Sequence, residues 1–233
     1  GEDADTLLDA KRAFKRALLH ELVTGRRRFP ELDTTPIPCV ALGKLAAAGA
    51  ARNRGTLGEA RVMGVLKDAG MVPMRDHVRA TDLGRYQIVP PDGFAYNPMR
   101  LNIGSIARNR SGADCLVSPD YVVFTTDPSA LLPAYLDQVR RSDLWSDFVR
   151  AAGSGSVRVR IYFRDLAEIQ IPLPSLDEQR RIADVLEAAD RELALLEKLR
   201  DAYEAQRRAL MHRLLSGDLC LPEPAAAPEL AHA

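Results

Sequence analysis

Apolar residues in the C-terminal third of the chain recur at helical spacing. Ile182, Leu186, Ala189, Leu193, Leu196, Tyr203, Leu210 and Leu214 follow one another at steps of three, four or seven, with Arg and Glu between them. This predicts one long helix with a single apolar stripe, close to a coiled-coil seam. Ser175 followed by Glu178 is a Ser-x-x-Glu capping box at its start. Gly217 and Pro222 are its stop signals. About 40 helical residues would span ~60 Å at 1.5 Å each, with Asp190 as the place for a break. Such a stripe is longer than a small domain can cover. Ile182, Leu186, Leu193, Leu196, Tyr203, Leu210 and Leu214 are therefore expected to face a partner helix, the alternative being a hairpin folded back on its own domain.

The end of this helix occurs twice. DAKRAFKRALLHELVTGRRRFPEL from Asp9 matches DAYEAQRRALMHRLLSGDLCLPEP from Asp201 at a constant, gapless offset of 192 (201 less 9). Ala10/Ala202, Arg16/Arg208, Leu18/Leu210, His20/His212, Leu22/Leu214, Gly25/Gly217 and Pro30/Pro222 are identical pairs. Amphipathic helices share Ala, Leu and Arg readily; a His, a Gly stop and the Pro beyond it in register mark a true repeat. The first copy lacks some thirty residues present upstream of the second, as in the back portion of a longer two-repeat protein or in a protein built to pair with another copy.

Between the copies the periodicity shortens. Short apolar runs at Ile37–Leu42, Arg61–Leu66, Tyr86–Val89, Met99–Ile106 and Tyr121–Thr125 read as strands, and Pro90-Pro91-Asp92-Gly93 as a turn. Ser129–Ala151, with Trp145 and Phe148, reads as one or two helices, and Val157, Val159 and Ile161 alternate with Arg158 and Arg160 in a last strand. The expected fold is α+β: a mixed α/β domain over 33–170, flanked by long coiled-coil-forming helices over 1–32 and 171–217, with a disordered tail over 218–233.

Composition alters this picture little. An apolar fraction of 46% supports a true core. Lys+Arg and Asp+Glu are equal at 32 each, so no global basic excess announces a nucleic-acid binder. Locally, residues 33–170 hold 17 basic and 14 acidic side chains, and 171–233 hold 8 and 12. Cys39, Cys115 and Cys220 are too scattered for a zinc site or disulfide framework, which fits a reducing cytoplasm. No apolar run reaches the ~18 residues of a membrane span.

A search for a catalytic set finds none. Neither GxxxxGK[ST] nor GxGxxG is present. Tyr96-Asn97-Pro98-Met99 is a partial match to the Asn-Pro-Pro-Tyr element of DNA adenine methyltransferases, without its second Pro, its aromatic or a Gly-rich cofactor loop, and reads as a turn entering a strand. Pro119-Asp120 lacks the acidic-x-Lys that a restriction-nuclease motif needs. None of His20, His77, His212 and His232 has a Ser or Cys elbow. What remains is loop chemistry suited to DNA: Arg52, Asn53 and Arg54; Asn97, Arg100 and Asn102; Arg108, Asn109 and Arg110; Arg158 and Arg160. Arg reads guanine O6/N7 and Asn reads adenine N6/N7, each bidentate. The same residues also suit an ordinary solvated surface.

Residues 165–217, above all Ile171-Pro-Leu-Pro174 followed by Glu178-Gln179-Arg-Arg-Ile-Ala, resemble the spacer region of type I restriction–modification specificity subunits. Residues 62–78, 86–106 and 153–161 resemble that family's target-recognition domains. The resemblance implies a non-catalytic subunit. Its domain would read one part of a split double-stranded DNA site, and its helices would act as a ruler and pair with a second half or a second copy. Methyltransferase subunits would be its partners, with a restriction subunit attached indirectly. S-adenosylmethionine, ATP and magnesium would belong to those partners and no cofactor to this chain, in a bacterial or archaeal cytoplasm. One recognition domain in place of two makes the chain similar to a half-length subunit or to the C-terminal half of a full one. A coiled-coil adaptor whose α/β head binds protein is the alternative.

Overall fold

A computed structural model describes residues 2–32, 35–49, 51–67, 69–74, 82–152 and 160–218. Two compact units are present: residues 14–189, and residues 1–13 with 190–233.

The first unit is a head built on four antiparallel strands in the order β2 (Ala46–Ala48), β9 (Val122–Thr126), β6 (Phe94–Tyr96), β7 (Ile106–Arg108). Alternation along β6 explains its central position. Phe94 and Tyr96 enter one core, and Ala95 between them enters another. On β9, Phe124 and Val123 divide in the same way, and on β7 so do Ile106 and Ala107. The register pairs Phe94 with Phe124 and Ala95 with Val123, and the two Phe rings stack at 5.0 Å. The sheet is thus buried on both faces, which accounts for strands lacking the apolar-in, polar-out signal of a one-sided sheet. Small antiparallel pairs complete the head: β3 (Met63–Leu66) with β4 (Gly70–Pro73), β5 (Gln87–Val89) with β8 (Cys115–Val117), and β1 (Cys39–Ala41) with β10 (Gln170–Pro172).

On the larger core lie α2 (Pro133–Val139), α3 (Asp143–Ala152), the short α4 (Phe163–Leu166), the end of α1 (Glu2–Val23) and the start of α5 (Leu176–Leu215). Leu19, Leu22 and Val23 of α1 share it with Ile182 and Leu186 of α5. Ile182 and Leu186 are thus core residues of the head and share that core with a helix of the same chain, α1.

The start of α5 is fastened by polar groups. Gln179, fully buried, accepts from the Leu132 N–H (2.9 Å) and donates to the Ala130 (2.9 Å) and Pro174 (3.0 Å) carbonyls. The capping box forms by half. Ser175 Oγ accepts the Glu178 N–H at 3.3 Å, while both oxygens of the buried Glu178 carboxylate accept from Arg28, Nε at 2.6 Å and Nη2 at 2.7 Å. The helix then runs without interruption through Asp190, so the expected break is absent.

The segment read as a strand from Met99 divides. Asn97–Arg100 is a turn closed by Arg100 N–H to Asn97 O (2.9 Å), a 3-10 turn covers Leu101–Ile103, and only Ile106 re-enters the sheet. Tyr96-Asn97 accordingly leaves a strand instead of entering one. Val157 and Val159, and the tail beyond 218, lie outside the described residues.

In the second unit the early part of α1 and the later part of α5 run antiparallel. Lys11 pairs with Glu192 (2.7 Å), Arg12 with Glu197 (2.7 Å) and Asp5 with Arg200 (3.4 Å). The glycine stops behave as the repeat requires: Gly25 (φ +71°) and Gly217 (φ +77°) both adopt the left-handed conformation of a C-cap.

Gln179→Leu would strip the Leu132 N–H and two carbonyls of their partner, destabilising the head by about 2–4 kcal/mol; urea denaturation is the check. Arg28→Met would cost about 3–5 kcal/mol by leaving Glu178 as a buried, uncompensated charge, and Arg28→Met with Glu178→Leu would recover most of that.

Candidate nucleic-acid interface

The structure sorts the candidate loop residues into two groups. Asn53 and Asn109 are buried scaffolding. Asn53 Nδ2 donates to the Leu57 (2.9 Å) and Leu83 (3.2 Å) carbonyls, and its Oδ1 accepts the Leu57 N–H at 2.7 Å. Asn109 Nδ2 donates to the Val89, Pro90 and Ala113 carbonyls, and its Oδ1 accepts from Ser111. An amide so engaged inside the fold has no edge to offer adenine, so both leave the expected reading set.

Arg108 and Arg110 leave it for another reason. Each places Nη2 3.3 Å from Glu187 Oε1 on α5, and Arg108 Nε lies 3.5 Å from Asp92. The Arg108 side chain is 11% exposed. Arg110 also grips Asp137, whose fully buried carboxylate is held in addition by Arg140 (2.6 Å) and Arg141 (3.6 Å). Burial pushes the Asp137 carboxyl upward, but the Arg140, Arg141 and Arg110 charges outweigh it and hold the pKa below the ordinary carboxylate range. To reach a base Arg108 would leave a poorly solvated pair with Glu187, and it ties the sheet edge to α5. Arg110, with a side chain 42% exposed, ties the sheet edge to α2 and α5 while part of its guanidinium stays at the surface. Sequence reading missed this hub because Asp137 is ordinary among helical acids until its depth is known.

Arg52, Arg54, Arg100, Asn102 and Arg160 are exposed, and backbone links tie the loop of Arg52 and Arg54 to residues 84–88 and the segment of Arg160 to the turn of Arg100 and Asn102. Arg52 bridges to Gln87, and its Nη1 donates to the Arg85 carbonyl at 2.7 Å. Arg54 has φ +47°, and its N–H donates to Gly84 O at 3.2 Å. The Gln87 amide donates to the Pro119 and Tyr121 carbonyls. Asp120, between those two, contributes to raising the pKa of Arg160, behind the larger effect of the Tyr162 hydrogen bond. Next to Arg160, the Ile161 N–H donates to Pro98 O at 3.1 Å, which sets Arg160 beside the turn carrying Arg100 and Asn102. Asn97 is half-buried, and its Oδ1 is engaged by the Met99 N–H at 2.9 Å, so it shapes that turn. Arg158 lies outside the described residues.

The same turn exposes Met99 and Ile103, with Tyr162 beyond Arg160. Apolar side chains among Arg and Asn suit a groove that presents thymine methyls beside acceptors. Only exposure reveals them; in the sequence they read as strand interior.

Of the expected helix-partner positions outside the core, Tyr203 and Leu210 are exposed, and Leu193, Leu196 and Leu214 are half-buried. Burial pushes the Cys115 thiol up to about 11, which keeps it protonated at neutral pH. Among the described residues no group of three His, Cys, Asp or Glu could hold a metal ion, and no helix is long and apolar enough to cross a membrane.

Residues 147–205 match a family described as the type I restriction modification DNA specificity domain. A Methanocaldococcus jannaschii protein named as a type I restriction enzyme specificity subunit is 37% identical over 67 residues, covering 29% of this chain and 16% of that relative. Two solved structures share the fold. The HsdS subunit from Thermoanaerobacter tengcongensis has a TM-score of 0.59 at 18% identity, over 94% of this chain and 54% of that one. The type I restriction–modification S subunit from M. genitalium has a TM-score of 0.61 at 13% identity, over 91% of this chain and 56% of that one. The chain thus spans about half the length of these structural relatives.

Because the folded Asp137 pKa is depressed, its stabilising contribution is present at neutral pH and lost as pH falls through the folded value. Asp137→Asn should therefore destabilise the head by about 2–4 kcal/mol at pH 7. It should also flatten the decline in urea midpoint below pH ~4. An unaltered acid limb would remove Asp137 as its source.

Proposed function

We propose that this chain, whose residues 147–205 match the type I restriction modification DNA specificity domain family, is a specificity subunit or part of one, and that its head reads one half of a split DNA site for a type I restriction–modification complex. The observation that carries this reading is the exposed set of Arg52 and Arg54 on one pair of hydrogen-bonded loops and of Arg100, Asn102 and Arg160 on another, the second edged by Met99, Ile103 and Tyr162. It offers bidentate donors for guanine, an amide for adenine and apolar contacts for thymine on a rigid base. Arg158 stays in the proposed set on its sequence position alone.

In this reading the subunit performs no chemistry. It docks methyltransferase subunits, which bring S-adenosylmethionine, and through them a restriction subunit that uses ATP and magnesium, in the cytoplasm. The neutral charge of the chain accords with partners that supply much of the phosphate clamp. The helices hold two heads at a fixed separation, either by pairing two copies of this chain or within a longer subunit. Half-sites on one face of DNA lie ~34 Å apart or a multiple of that, and a 40-residue helix such as α5 is long enough to hold them so.

Co-expression with a methyltransferase subunit, followed by sequencing of methylated positions, tests the assignment. A split motif is the expected result; methylation that stays silent or unfocused despite stable co-purification would favour a truncated half or the protein-binding adaptor. Arg100→Ala or Arg160→Ala should relax one base position by ~1–3 kcal/mol, or, where the contact is to phosphate, lower the salt-dependence slope by ~0.9. Inserting one heptad after Leu193 should change the spacer length and leave the half-site bases alone. Altered bases with an unaltered spacer would refute the ruler.

A further inference from the structure

We infer that the turn carrying Met99 and Ile103 is a wedge that enters a base step of the bound duplex and parts its stack, so that the head bends DNA as it reads it. This rests on the reading above that the head binds double-stranded DNA.

Exposed apolar surface on the head is concentrated at one place. Among the described residues of 14–189, five large apolar side chains are exposed: Phe14 on α1, and Leu66, Met99, Ile103 and Tyr162. Hydrogen bonds bring the last four together. The Ile161 N–H donates to Pro98 O at 3.1 Å, which seats Tyr162 by Met99. Ser105 Oγ donates to Val65 O at 3.0 Å, which seats Leu66 by Ile103. Each of the four is between 42% and 58% exposed. That is more apolar surface than base edges can cover. In the major groove those edges are polar apart from the thymine methyl. One or two of these side chains would cover a methyl, and the rest would lie against polar groups. The large apolar surfaces of DNA are the faces of its bases, reached only where a step is opened.

The charge around the patch suits DNA. Lys67, Arg100 and Arg160 are exposed about the four apolar side chains, and Asn102 lies between Leu101 and Ile103. The acids nearby are engaged. Asp165 accepts the Tyr162 N–H at 3.1 Å and Arg164 Nε at 3.4 Å, and Asp120 acts on Arg160. Cations and an amide around apolar side chains are what proteins that part base steps present.

A wedge must also be stiff. The Arg100 N–H closes on Asn97 O and the Met99 N–H on Asn97 Oδ1, both at 2.9 Å, and the Ile103 N–H bonds Arg100 O at 3.2 Å. Leu101 anchors the turn in the larger core. Gly104 ends it at φ +86°, where a Cβ would lie 2.9 Å from Lys67 Cγ. Met99 and Ile103 therefore have no room to sink into the head when pressed. Pyrimidine–purine steps part most easily, so the wedge adds a preference for such a step at a position that no Arg or Asn contacts.

The test uses the full chain in complex with its methyltransferase subunit, on duplexes carrying the motif found by the methylation experiment above and its flanks. 2-Aminopurine, whose emission rises on unstacking, replaces one purine at a time in either strand. The methylated base is left out, because enzymes that modify a base take it from the stack themselves. Emission should rise at one pyrimidine–purine step on binding. Met99→Ala with Ile103→Ala alters only exposed side chains, so the head should keep its urea midpoint. It should abolish the rise and weaken DNA binding roughly tenfold or more; Met99→Leu with Ile103→Leu should restore both. A duplex that stays dark at every step while bound overturns the wedge, and weaker binding when deoxyuridine replaces thymine would then make the patch a methyl reader alone. A double Ala variant that binds and unstacks DNA as the unaltered chain does overturns it too, and leaves the patch to a protein. If methylation yields no motif, the DNA-reading assignment falls and the wedge with it.

Discussion

The seam at which two helices from opposite ends of the chain meet the head governs this structure. Its apolar part is the shared burial of Leu19, Leu22, Val23, Ile182 and Leu186. Its polar part is the Gln179 fan of hydrogen bonds and the Arg28–Glu178 fork. Apolar burial supplies the larger free energy but is indifferent to direction; the polar groups fix which turn of α5 sits where. A buried ion pair and a buried amide are poor ways to gain stability and good ways to exclude alternative registers.

This bears on what the sequence made legible. The long helix, its glycine stop and the internal repeat were readable, because periodicity and caps are local signals. The motif around Glu178-Gln179 carried the family resemblance, and its physical content emerges only in three dimensions. Glu178, Gln179, Ile182 and Ala183 face inward, while Arg180 and Arg181 between them face solvent. Less legible was β6. Phe94–Tyr96 is three residues long and follows a turn, yet it is the strand on which both cores meet. A strand buried on both faces leaves no alternation to detect.

Among the candidate DNA readers the errors are systematic. Residue type pointed to Arg and Asn without distinction; depth sets Asn53 and Asn109 apart, and ion pairs set Arg108 and Arg110 apart. Asn53 and Asn109 satisfy loop backbone from inside, as short amides commonly do at turns. Arg108 and Arg110 lie one and three positions from the buried Ala107, near the acids of α2 and α5. Arg52, Arg54, Arg100, Asn102 and Arg160 escape because their loops turn outward from the sheet. The sheet and its two cores therefore serve as a support, and the exposed Arg and Asn side chains lie on the loops around it.

The matched caps at Gly25 and Gly217 have a consequence for inheritance. The two copies of the repeat lie 192 residues apart in one frame, and each ends on the same left-handed glycine. An in-register crossover between them, in tandem genes, adds or removes one whole head together with one helix. Its junction falls inside a helix whose interior and exterior faces already correspond on both sides. The smallest unit that such a crossover can move without cutting through a core is then one complete head with its helix.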